Sequence, residues 1–194
     1  MSQATVERKT KETQIRLTLD LDRRDPPKIS TGVPFFDHLL TALSFHGGFS
    51  LEIEAKGDLE VDPHHLVEDT GLVLGDAFKK VQDSREGVNR YGHSVIPMDE
   101  ALSEVVIDAC GRAAWVYTAE FPQTHAGTFD LSLLREFLIA FVNRAQINLH
   151  AHCRYGVNGH HMAEALFKAL GRALSEAYAV REGGNAAMST KGVI

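Results

Sequence analysis

His64-His65-Leu66-Val67-Glu68 and His160-His161-Met162-Ala163-Glu164 are two copies of one pattern, His-His-x-x-Glu, and the agreement runs beyond them. Gly71–Phe78 aligns with Phe167–Leu174, setting Gly75 opposite Gly171. Upstream, the strand-like Phe49–Ala55 lies beside Gln146–His152, and His38 falls opposite Glu136 once a gap of about two residues is allowed. The order helix, strand, His-His helix therefore occurs twice. That is an internal duplication, with halves 1–92 and 93–194 forming one compact unit. Each half reads as a small sheet with two helices packed on one face, an α+β layer arrangement.

The local patterns agree with this division. Ile15, Leu17, Leu19 and Leu21 alternate with polar residues and predict a strand over Thr13–Leu21. Pro34–Phe45 has helical spacing with Phe35, Leu39, Ala42 and Leu43 on one face, and Gly47-Gly48 stops it. Pro63 opens a long helix to about Gln82, because proline is tolerated in a first turn. Strands are expected over Ser94–Pro97, Leu102–Asp108 and Ala113–Ala119, then a loop over Phe121–Thr128. Helix Leu131–Asn143, strand Gln146–Arg154 and helix His160–Ala179 follow.

Composition excludes several classes. Of 194 residues 44% are hydrophobic, enough for a sizeable core, and the formal charge of -6 offers no nucleic-acid surface. No apolar run approaches the ~18 residues of a membrane span. The charged N-terminus is not a signal peptide, so a cytoplasmic location is expected. Cys110 and Cys153 sit in apolar, strand-like stretches and read as buried free thiols of a reduced compartment.

At 3.6 residues per turn, His64 and Glu68 project from one helix face, while His65 is rotated by roughly 100°. One helix thus offers a His-Glu pair in one direction and a lone His in another. Two such helices, at His64 and His160, can complete two metal sites reciprocally, with His38 and Glu136 as possible fourth ligands. Imidazole mixed with carboxylate suits Mn, Fe, Co, Ni or Zn. A single copy of the motif also fits a solvated helix face. Two copies at matching places are hard to explain by core packing, which does not favour four polar residues at helix starts.

Further motifs carry a resemblance. They are Arg8-Lys9-Thr10-Lys11-Glu12-Thr13, Gly32-Val33-Pro34-Phe35-Phe36-Asp37-His38, Ser44-Phe45-His46, Asp62-Pro63-His64-His65, Arg90-Tyr91-Gly92, Ile96-Pro97-Met98-Asp99-Glu100, Gly111-Arg112, Asn148-Leu149-His150, Phe167-Lys168-Ala169 and the closing Ser189-Thr190-Lys191-Gly192. In order and over essentially the whole chain, they resemble the imidazoleglycerol-phosphate dehydratases of histidine biosynthesis. The resemblance implies a hydro-lyase that converts imidazole glycerol phosphate to imidazole acetol phosphate. It implies two Mn(II) per active site and two halves, each a four-stranded β-sheet with two α-helices on one face. It also implies self-association to 24 subunits, with sites formed between neighbours.

Carried over, the resemblance places one metal on His38, His65, His160 and Glu164. The other falls on His64, Glu68 and His161, with a fourth ligand at position 136. Many members have His there, whereas this chain has Glu136: the carboxylate can bind metal, point away, or leave the place to water. Glu12 is the implied general acid/base. Substrate contacts are implied for Glu12, His38, His46, His64, Glu68 and His160, and a phosphate pocket for Arg90, Arg112, Lys168, Thr190 and Lys191. Thr190 replaces the family's usual Ser and keeps the hydroxyl. Asp99 and Asp108 are candidates to orient ligating histidines. Two other readings remain open: a hydrolase that uses a metal-bound hydroxide, and a metal-storage assembly. The second leaves Glu12 and the phosphate-type cations unexplained.

Overall fold

Residues 2–85 and 87–181 are described by a computed structural model; Thr190 and Lys191 lie outside them. The first half contains β1 (Gln3–Lys9), β2 (Thr13–Asp20), β3 (Lys28–Ser30), α1 (Pro34–Gly47), β4 (Ser50–Gly57) and α2 (His64–Ser84). The second contains β5 (Tyr91–Met98), β6 (Ala101–Asp108), β7 (Ala114–Thr118), a short hairpin of β8 (His125–Ala126) and β9 (Phe129–Asp130), α3 (Leu133–Ala145), β10 (Asn148–Tyr155) and α4 (Gly159–Tyr178). The sheet orders are β1-β2-β4-β3 and β5-β6-β10-β7, which match strand for strand. In each sheet the last pairing alone is parallel. The expected α+β duplication of two four-stranded halves is therefore the observed fold.

The registers locate the gap between the repeats. Leu17 pairs with Ile53, and its counterpart Val105 pairs with Ala151. Helices α1 and α3 both end in a left-handed residue, Gly48 and Gln146. These pairs show that α1-β4 superposes on α3-β10 at an offset two residues larger than α2 on α4. The missing two residues thus lie in the loop before the second His-His helix. Glu136 occupies the position of His38, as the sequence comparison had it.

Helices α1 and α4 pack together, as do α2 and α3, so the four helices form a layer joining the two sheets. Close approach is built in by glycine: a Cβ on Gly171 would lie 2.1 Å from the Leu43 carbonyl oxygen, and one on Gly75 2.5 Å from that of Phe141. The two halves share one core. Phe36 and Phe167 flank Phe137 (centroids 5.5 Å in each case), and Phe78 meets Phe141 and Tyr178 at 5.6 and 5.1 Å. Both cysteines are free and buried. No helix among the described residues is long and apolar enough to cross a membrane.

Four local features lie outside the sequence reading. Strand β1 was hidden because it is an edge strand that buries only Ala4 and Val6 among charged neighbours. Strand β3 spans just three residues, and β8-β9 interrupts the expected loop. On α1 it is Phe36, not Phe35, that is fully buried; Phe35 turns toward His160.

The start of α1 is fixed by Asp37, whose Oδ1 accepts hydrogen bonds from Thr31 N (2.9 Å) and Thr31 Oγ1 (2.5 Å). Asp37→Ala is expected to cost about 1–2 kcal/mol, read as a lower denaturation midpoint of the chelator-treated protein. An unchanged midpoint would show that Pro34 alone sets the helix start.

Candidate functional site

Both His-His motifs open a helix, and equivalent side chains hold the first turn. His64 N donates to Asp62 Oδ1 (2.7 Å), and His160 N donates to Asn158 Oδ1 (2.9 Å). One assembly of candidate ligands is His38, His160 and Glu164, which offer ligand atoms all within 4.8 Å of one another. His38 comes from α1 of the first half, the other two from α4 of the second. Glu164 Oε2 is 3.0 Å from His38 Nε2 and 3.2 Å from His160 Nε2, and Glu164 Oε1 accepts from Lys168 Nζ at 2.8 Å. Burial would push this carboxyl up. The hydrogen bonds from Lys168 and His38 outweigh it and hold the group at about 2, so it is an anion at neutral pH.

Phe35 packs its ring 4.9 Å from that of His160 and 5.5 Å from that of Phe129 on the β8-β9 hairpin. The cavity over the cluster measures about 460 Å³, and Phe35, Phe129, His38 and His160 help to line it. The lining thus combines apolar rings with the ligand-bearing side chains.

The equivalent place in the other half is looser. His64 Nε2 is 3.7 Å from Glu68 Oε2. Glu136 accepts from Arg135 Nη1 (3.0 Å), and the Arg135 guanidinium lies 4.9 Å over the Trp115 ring.

His65 and His161 join neither group within the chain. His65 Nδ1 donates to Asp58 Oδ2 at 3.0 Å, and His161 Nδ1 donates to Glu100 Oε2 at 2.8 Å. Of the two orienting candidates in the sequence, Asp99 stands 3.8 Å from His161 Nε2, while Asp108 takes Arg90 in a forked pair (2.6 and 3.0 Å). Asp58 and Glu100 fill that place instead. In the sequence Asp58 belongs to no motif, and Glu100 stands only as the last residue of Ile96-Pro97-Met98-Asp99-Glu100.

Glu12 sits on the β1-β2 turn, with Oε2 3.9 Å from His65 Nδ1. The turn is pinned to α2: Thr13 Oγ1 donates to Asp69 Oδ2, and Arg8 pairs with Asp69 Oδ1 at 2.9 Å. His46 and Lys168 line a cleft of about 570 Å³ with His93, Ser94 and Arg172. Burial, helped by the charge of Lys168, pushes the His46 imidazole down. Arg172 adds a cation that the sequence reading passed over. Arg90, bound to Asp108, and the exposed Arg112 do not line this cleft.

Taken by themselves, fold and clusters define a class: a duplicated α+β protein whose paired helices present imidazole and carboxylate together. The family model for imidazoleglycerol-phosphate dehydratase matches residues 31–174. The imidazoleglycerol-phosphate dehydratase of Pelobacter propionicus is 49% identical over 191 residues, covering 98% of each chain. That of Lacticaseibacillus casei is 47% identical over the full length of both. The crystal structure of the Staphylococcus aureus dehydratase superposes with a TM-score of 0.84 at 38% identity, covering 92% of this chain and 99% of the other. IGPD from Pyrococcus furiosus, solved in complex with (S)-C348, gives 0.84 at 34% identity, covering 97% and 100%. The chain belongs to the imidazoleglycerol-phosphate dehydratase family, and it is an enzyme of the hydro-lyase class.

Proposed function

We propose that this protein removes water from imidazole glycerol phosphate in a metal-dependent reaction, giving imidazole acetol phosphate. The observation that carries this reading is the His38, His160 and Glu164 cluster: three donors from two helices, converging beside an open cavity. The donors fit a divalent ion such as Mn(II). They combine imidazole nitrogen with a carboxylate held ionised, the mixed set such ions take. His38, His160 and Glu164 hold one ion; His64 and Glu68, with Glu136 in the twin position of His38, hold the second. When bound, the two ions supply Lewis acidity and a template for the substrate's imidazole ring.

Each set gains one more imidazole from a neighbouring subunit. His65 and His161 are tied by Nδ1 to carboxylates of their own chain, so each would coordinate through Nε2. On this reading the active unit is an assembly, and the 24-subunit state of the resemblance is the one we adopt. Glu12 travels with His65, so a subunit that lends His65 also lends the carboxylate that moves the proton. His46, Lys168 and Arg172 line a cleft next to Glu164 and receive the phosphate, with Arg90, Arg112, Thr190 and Lys191 assigned to the same group by resemblance. Phe35 and Phe129 shield the ring end of the substrate from water. The partners are therefore a small phosphorylated imidazole and further copies of this chain, in the cytoplasm, without nucleic acid or membrane.

The test is dehydration of imidazole glycerol phosphate by purified protein, stripped with chelator and resupplied with Mn(II). Turnover is expected to vanish on stripping and return with the ion, and at about 100 times its Kd the ion adds roughly 2.7 kcal/mol of stability, seen as a higher Tm. Turnover that persists after complete stripping defeats the metal-dependent reading. Absence of turnover with metal bound defeats the substrate assignment.

A further inference from the structure

The duplication pairs Glu12 with Glu100. Strands β2 and β6 superpose with Thr13 on Ala101, since Leu17-Ile53 matches Val105-Ala151 in the ladders, so the residue before each strand is the same place in the repeat. Both glutamates sit on the hairpin turn above a His-His helix, and each stands beside the second histidine of that helix. Their contacts differ. Glu100 Oε2 is 2.8 Å from His161 Nδ1, a full hydrogen bond, and Glu100 Oε1 also accepts from the amides of Val157 (3.2 Å) and Asn158 (3.0 Å). Glu12 Oε2 is 3.9 Å from His65 Nδ1, too far for one, because Asp58 holds that nitrogen at 3.0 Å. Asp58 comes from the β4-α2 loop, the loop in which the first half has two more residues than the second.

We propose that Glu100 and Asp58 are the positioning residues for His161 and His65, and that Asp58, where the second half's loop has Gly156-Val157-Asn158 and no carboxylate, has released Glu12 from that duty so that it can serve the substrate. A carboxylate on one ring nitrogen fixes the tautomer and presents the other nitrogen to a metal ion. Two turn glutamates at the same place in the repeat thus have different work, and the carboxylate of Asp58, which the other half's loop lacks, accounts for the difference. The Asp99, Glu100 and His161 cluster is then an orienting group and not a third metal site.

This inference rests on the metal reading above, and its test separates the two. Mn(II) is titrated into chelator-stripped, full-length protein by calorimetry, with bound metal counted per chain, for wild type and for Glu100→Ala, Glu100→Asp, Asp58→Asn and Glu12→Gln. Wild type takes two ions. Glu100→Ala and Asp58→Asn are each expected to weaken one of the two sites about 10–100-fold and leave the other; the double variant weakens both, and Glu100→Asp restores part of the affinity. Glu12→Gln keeps both affinities within about twofold while turnover collapses. Melting of the metal-free variants separates positioning from folding: Asp58→Asn and Glu12→Gln melt with wild type, and Glu100→Ala, which also loses the amides of Val157 and Asn158, melts lower yet weakens only one site. Equal Mn affinity in all variants overturns the proposal, as does a Glu12→Gln protein that loses a site as Asp58→Asn does. A wild type that binds no Mn overturns the metal reading and this inference with it, whereas intact wild-type binding with unaltered variants overturns this inference alone.

Discussion

Glu164→Gln is expected to lower Mn(II)-dependent turnover by about 10³-fold or more while the chain still folds, since losing a Lewis acid's ligand removes several kcal/mol of transition-state stabilisation. The substitution keeps the shape and deletes the charge. That charge is what Lys168 Nζ (2.8 Å), His38 Nε2 (3.0 Å) and His160 Nε2 (3.2 Å) converge on, and it is buried. Gln still accepts a hydrogen bond from Lys168, but it cannot offset an ion's positive charge. Bound metal should fall from two ions per chain toward one, and circular dichroism should be that of wild type. Glu68→Gln tests the twin position. Its carboxylate is half-exposed and 3.7 Å from His64, so water can take its place more easily, and a smaller loss is expected. A Glu164→Gln enzyme that keeps wild-type turnover and two bound ions would remove this cluster from the chemistry.

How far the sequence reaches is set by where the physical signal lies. Duplication was legible because it is written in spacing: the two His-His-x-x-Glu motifs, the matched glycines and the twin strands need no third dimension. The central strands β2 and β6 were legible because one face is buried, which imposes alternation. Strand β1 buries only two residues among charged neighbours and β3 spans three residues, too little for alternation to show, and both escaped for this reason. At the site, His38, His160 and Glu164 were named from motif and repeat, and the fold brings them together. Helical spacing puts Phe35 on one face with Leu39 and Leu43 but does not show that, of the two adjacent phenylalanines, Phe36 is fully buried and Phe35 lines the cavity. Asp58 and Glu100 went unread because each reaches its histidine across a loop or hairpin, a contact with no fixed spacing in sequence.

The helix layer that brings His38 to Glu164 also yields a large stability effect from adding one methyl group. Gly171→Ala should destabilise the metal-free protein by about 2–3 kcal/mol, the upper part of the range for overpacking. Alanine is the better helix former by about 1 kcal/mol, so intrinsic propensity alone predicts a gain. Geometry reverses the sign: the new Cβ would lie 2.1 Å from Leu43 O and 3.0 Å from Gly47 N, and both are backbone atoms that cannot swing aside. Relief requires α1 and α4 to move apart. His38 lies on α1 and Glu164 on α4, five and seven residues before those contact points, so the same displacement opens the cluster. Gly171→Ala is therefore expected to lower Tm by roughly 5–10 °C and to weaken Mn(II) binding as well. Gly127→Ala is the contrast: its φ of +62° carries a backbone penalty of about 1 kcal/mol, but nothing lies within 4 Å of the added Cβ. It should lower Tm only slightly and leave metal affinity alone. If Gly171→Ala melts with wild type and binds Mn(II) as tightly, then the α1-α4 contact does not set the distance between His38 and Glu164.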